Sequence, residues 1–177
     1  RGVAVALTWN AVVLALLGGR GSDRTGLTVT VGTRDQSLYR ALEALPPNVV
    51  IAGWPDEVMD CLPYLARRSV LLSRETQQPW NTKYVEMLRE RMFALVRAYF
   101  ATTNAPLLEL RDRYHVTHLL LNRDYFAKPP DYFKPFDEFI HATFEQARGV
   151  RFAALDAVPR AQVLAAGPYV LLDLSKL

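Results

Sequence analysis

Apolar positions follow two rhythms along this chain, and the two alternate. Residues 83–102 show the helical one: Tyr84, Leu88, Met92, Leu95, Val96 and Tyr99 share a face, with Lys83, Glu86, Arg89, Glu90 and Arg97 opposite. That split predicts a helix with one side on a sheet and the other in water, begun by Asn81 as its N-cap. Shorter helices are predicted at 35–45 (Leu38, Leu42 and Leu45 inward, stopped by Pro46-Pro47), from Asp56 (Val58, Met59 and Leu62 inward, ended by Pro63), at 105–114, and around Phe136, Phe139, Ile140 and Phe144 up to Gly149. Between them lie β-rich runs at 27–31 (LTVTV), 48–52 (NVVIA), 69–72 (SVLL) and 116–121 (VTHLLL), and a tail, 163–164 and 169–174, that bends at Gly167-Pro168 as a closing hairpin. Strand and helix in alternation predict an α/β domain over residues 26–177, a three-layer, mostly parallel Rossmann-like sheet with flanking helices.

The start of the chain obeys neither rhythm. Residues 3–19 (VAVALTWNAVVLALLGG) carry no charge between Arg1 and Arg20. A bilayer-spanning helix takes roughly 17–25 residues, so residues 1–25 are read as one short transmembrane helix and its linker. A secretory signal peptide would need a small-residue cleavage site, which LALLGGRGSD supplies only weakly. A buried core helix is the other alternative, since Asn10 in mid-run would need a partner in lipid. Because the first residue is Arg and the apolar run begins at once, the chain reads as the carboxy-terminal piece of a larger protein.

Composition narrows the picture a little further. Half of the residues are hydrophobic, and the 21 basic and 18 acidic residues are interspersed, so one compact core is expected. No basic tract or nucleic-acid module is visible, which argues against a nucleic-acid partner. Cys61 is the single cysteine; it sits in the apolar stretch VMDCLPYLA and is expected to be a buried, inert thiol.

Candidate chemistry lies at strand ends, because ligands of open α/β sheets bind beyond the carboxyl edge. The residues there are Arg34 and Asp35 after the first run, Trp54 and Asp56 after the second, Arg74 and Glu75 after the third, and Asn122, Arg123 and Asp124 after the fourth. If the strands are parallel these loops share one rim, and guanidinium, carboxylate and indole groups there suit a sugar or a phosphate. On this reading Trp54, Asp56, Arg74 and Glu75 are exposed. Polar strand-end loops also occur in α/β proteins that bind nothing there. There is no Gly-x-Gly-x-x-Gly, no phosphate loop and no Gly-x-Ser-x-Gly elbow, so no cofactor is expected in this chain. His115 and His118 are three apart in a predicted strand and point to opposite faces, which separates them as metal ligands.

The order of motifs resembles a known family. The apolar span, LYRALEAL before PPNVVIAG, DEVMDCLPYLARRSVLLSRE, KYVEMLRERMFALVRAYFATT and RYHVTHLLLNRDYF look like the soluble tail of multi-spanning glycosyltransferases of the C-type superfamily, with YVLLDL in place of the closing strand. The match covers residues 3–125. It implies a membrane enzyme using a lipid-phosphate-linked sugar, with this domain outside the cytoplasm and in contact with membrane lipid, with upstream membrane helices of the same protein, and with a lipid-linked sugar or glycan acceptor. The catalytic acid of that superfamily lies in an early loop between membrane helices, outside this chain, so the resemblance assigns no catalytic residue here. It carries over Arg68, preceded by Asp56 and Asp60. Arg20 and Arg24 after the span pull against this orientation, because basic residues favour the cytoplasmic side. A membrane-tethered scaffold or binding domain, and a freestanding α/β enzyme with a buried first helix, stay open beside it.

Overall fold

The computed structural model of the chain describes residues 36–75 and 81–177. The span read at 3–19 and the strand read at 27–31 lie outside them. Among the described residues no helix is long and apolar enough to cross a membrane.

The elements run α1 (Gln36–Glu43), β1 (Val50–Gly53), α2 (Glu57–Leu65), β2 (Ser69–Val70), α3 (Thr82–Tyr99), α4 (Ala105–Tyr114), β3 (His118–Asn122), α5 (Phe136–Ala147), α6 (Ala153–Ala161), β4 (Gln162–Ala166) and β5 (Tyr169–Asp173), with short 3₁₀ turns after β3 and β5. The α/β class stands. Among the described residues the sheet has five strands, in the order β2-β1-β3-β5-β4, and is mixed rather than mostly parallel: β1 pairs parallel with β2 and β3, while β5 pairs antiparallel with β3 and β4. The tight bend at Gly167, whose φ of 57° suits a residue without Cβ, forces the β4–β5 pair to be antiparallel. Because β5, and not β4, enters beside β3, that reversal is carried into the middle of the sheet.

Helices cover both faces. Ala52, Leu119, Leu121, Val170 and Leu172 join one core with α3 to α6. Ile51, Leu120 and Leu171 point the other way and are buried outside that cluster, as the two-residue period of a strand requires. At Gly53 a Cβ would stand 2.7 Å from Met59 Sδ and 3.3 Å from Leu120 Cβ, so glycine lets α2 close onto the end of β1.

Three local expectations change. Pro63 does not end α2, which continues to Leu65; losing one amide donor is tolerable where barely half a turn remains. The alanine-rich α6, with Pro159 near its end, has too few large apolar residues to show a helical stripe, yet its Ala153, Ala154, Ala157 and Ala161 are buried. Cys61 is half-buried, on the flank of α2. The long helix behaves as its pattern dictates: Asn81 Oδ1 accepts the Lys83 and Tyr84 amides at 2.9 and 3.3 Å, Leu88, Met92, Leu95, Val96 and Tyr99 are buried, and all five opposing charged residues are exposed.

Candidate functional site: a cleft at the carboxyl edge of β1

Parallel pairing of β1 with β2 and β3 brings three strand-end loops to one edge, with Trp54 and Asp56, Arg74 and Glu75, and Asn122, Arg123 and Asp124 on them. Arg34 and Asp35 lie outside the described residues. Arg68 is not at this edge, since it precedes β2. Its guanidinium donates to the carbonyls of Glu43, Leu45, Ala66 and Arg67, tying the end of α1 to the start of the strand.

Trp54 departs most from expectation. Instead of standing on the rim it is 3% exposed, with Tyr99, Phe100, Tyr125 and Tyr132 around it at ring-centroid distances of 5.5 to 6.3 Å. An indole offers more apolar area than any other side chain, and a strand end flanked by helices buries it. Tyr99 beneath it is held to the last residue of β3: its hydroxyl accepts the Asn122 amide at 2.5 Å and donates to the Asn122 carbonyl at 3.2 Å. Desolvation pushes that phenol well above its ordinary pKa, so it stays neutral.

Asp56 joins the two loops. Its Oδ1 caps α2 by accepting the Val58 and Met59 amides at 3.0 and 3.3 Å, and its Oδ2 accepts the Tyr125 hydroxyl at 2.9 Å. Burial raises its pKa above the ordinary 3.8, against the lowering pull of those hydrogen bonds. The Tyr125 phenol is raised too, by its own burial and then by the Asp56 charge. One turn further along α2, Asp60 is 6% exposed; its Oδ1 accepts the Arg74 and Glu75 amides at 2.6 and 3.3 Å, and its Oδ2 lies 3.5 Å from Arg74 Nε. Two carboxylates of one short helix therefore shape the loops after β1 and β2.

Above Trp54 opens a cleft of about 470 Å³. Pro55, Asp56 and Arg74 form one wall; Tyr125, Pro130, Asp131, Tyr132 and Phe133 form the other. Tyr132 and Phe133 stack with centroids 4.6 Å apart, and Phe133 is 45% exposed. Arg123, Asp124 and Glu75 are exposed on the same edge but do not line the cleft, and Asn122 is buried beneath it. The second wall was missed from the sequence, although the signal is there: Asp131-Tyr132-Phe133 sits between Pro130 and Pro135, an aromatic pair in a segment where no strand or helix claims it. Among the described residues no cluster of His, Cys, Asp and Glu could hold a metal ion. His115 is exposed at the end of α4 and His118 is buried in β3.

No protein-family model matches the chain, and no curated protein gives a significant match. Among solved structures it is similar to the C-terminal globular domain of an oligosaccharyltransferase from Archaeoglobus fulgidus, with a TM-score of 0.51 and 8% identity over 82% of this chain and 99% of that one. At this identity the likeness is one of fold.

Proposed function

We propose that this chain is the carboxy-terminal, extracytoplasmic part of a membrane glycosyltransferase that draws on a lipid-phosphate-linked sugar, and that its domain supports acceptor binding while chemistry belongs to the membrane part. The observation that carries the reading is the fold likeness to almost the whole of an oligosaccharyltransferase globular domain. The motif order at 3–125 and the uncharged run at 3–19 support it independently. The cleft suits a binding role: aromatic rings, two carboxyl groups and a guanidinium converge, the mixture of apolar surface and sparse polar groups found in ligand sites.

The test is glycan transfer by the full-length protein in its membrane. Arg74→Ala, an exposed position, is expected to keep the fold and lower transfer; transfer at the parental level would remove Arg74 from the acceptor path, and a full-length protein with no transfer from any lipid-phosphate sugar would overturn the reading. A second measurement addresses the membrane. The 177-residue chain should partition into detergent or liposomes, and a monodisperse monomer purified without either would defeat the span.

A further inference from the structure

We infer that the cleft above Trp54 is a subsite for a neutral sugar ring and not for the phosphate of a lipid-linked donor. This deepens the reading above and rests on it for where the sugar comes from. An anion needs N–H donors and net positive charge, and here the amides at the start of α2 and in the loop after β2 are already engaged. The first amides of α2 point to Asp56 Oδ1, and the amides of Arg74 and Glu75 point to Asp60 Oδ1. A helix N-terminus that could cradle phosphate is thus closed by its own carboxylate. Among the described residues the one cation on the walls, Arg74, is shared with Asp60, while Asp56 and Asp131 add two more carboxyl groups. On the described walls carboxyl groups outnumber guanidinium groups.

A ligand that donates hydrogen bonds and also presents an apolar face meets those conditions. Sugar hydroxyls donate to carboxylates in short, charge-assisted bonds. The slightly positive C–H face of a pyranose fits the negative face of an aromatic ring, and Phe133, stacked on Tyr132 and almost half exposed, offers one at the mouth. A volume of about 470 Å³ falls within the range for small-molecule sites, roughly 300–1,000 Å³.

The experiment is saturation-transfer NMR and calorimetry on the full chain, in a detergent without a sugar headgroup. The probes are the methyl α-pyranosides of glucose, mannose and galactose, mannose 1-phosphate, and an uncharged hexapeptide. At least one neutral glycoside should bind, with the 1-phosphate at least about tenfold weaker, a gap of about 1.4 kcal/mol. Phe133→Ala should weaken the glycoside about tenfold at an unchanged melting temperature. Asp131→Asn, at an exposed position, should narrow the gap between glycoside and 1-phosphate. The inference falls if no glycoside binds, if the 1-phosphate binds as well or better, if the hexapeptide binds in the sugar's place, or if both variants leave the affinities unmoved. Loss of transfer in full-length Arg74→Ala together with no glycoside binding would sink the subsite and spare the glycosyltransferase reading; glycoside binding with no transfer by the full-length protein would do the reverse.

Discussion

Arg68 and Arg74 flank the same two-residue strand, β2, and do opposite work. Arg68, before the strand, is half-buried and donates to four backbone carbonyls, including that of Glu43, the last residue of α1, and that of Leu45 just after it. Arg74, after it, has its side chain 59% exposed at the cleft, with one ion pair to a buried carboxylate. Both are arginines within six positions, and only the end of the strand on which each falls separates them. At the amino edge, carbonyls left over from α1 need donors, and a guanidinium with five N–H groups supplies them. At the carboxyl edge the loop amides are already held by Asp60, so Arg74 is left to face solvent and the cleft. One edge ties backbone segments together; the other leaves a guanidinium at the cleft.

The contrast can be broken most severely from beneath. Trp54→Ala removes the buried ring on which the cleft rests, and truncations of this kind cost about 3–5 kcal/mol; a loss of unfolding free energy in denaturant of less than a third of that would mean the indole is not the floor of the cleft. Next is Arg68→Ala. Losing several charge-assisted bonds to carbonyls should destabilise by about 2–3 kcal/mol, against less than about 1 kcal/mol for Arg74→Ala. Equal melting curves for the two variants would erase the difference between the edges.

Asp56 sharpens the comparison at an intermediate size. Its cap and its bond to Tyr125 mean that Asp56→Ala should cost about 1–2 kcal/mol, so the change is not silent for folding as its strand-end position alone would suggest. Its raised pKa adds a pH signature with a definite sign. The folded state holds the proton more tightly than the unfolded chain does, so the stabilisation this gives is complete below the ordinary value of 3.8 and is lost as pH rises through the higher folded pKa. Asp56→Asn, which still caps, should therefore gain on the parent as pH climbs above the ordinary value of 3.8 and through the higher folded pKa. Paired melting temperatures check this, and a constant offset across that range would count against it. Gly53→Ala should cost about 1–3 kcal/mol, because its Cβ would meet the buried Met59 Sδ at 2.7 Å; a loss above about 3 kcal/mol would show that α2 cannot shift.

Much of the fold was legible where side-chain periodicity is strong. The buried face of α3, its Asn81 cap, the ends of α4 and the bend at Gly167 are fixed by local rules, and those rules act within a few residues. The strand ends that carry Trp54, Asp56 and Arg74 were legible for the same reason. Pairing partners were not. Nothing in YVLLD says that the strand will lie between β3 and β4, since strand order is decided by which faces and edges remain to be covered once the helices pack. Burial of Trp54 was hidden likewise: its neighbours Tyr99, Tyr125 and Tyr132 lie 45 to 78 residues away along the chain.

The sequence by itself determined the strongly patterned helices and strands and the type of chemistry available, because backbone propensity and the spacing of apolar side chains are local quantities. Only the tertiary structure decided which chemistry meets. It set Arg68 and Arg74 at opposite edges, turned an expected indole rim into a floor, gave Asp56 a phenol partner from the loop after β3, and raised Tyr132 and Phe133 as the facing wall. Each of these depends on residues far apart in the chain being held at contact distance. That is a property of the packed sheet and helices, and no window of neighbouring residues contains it.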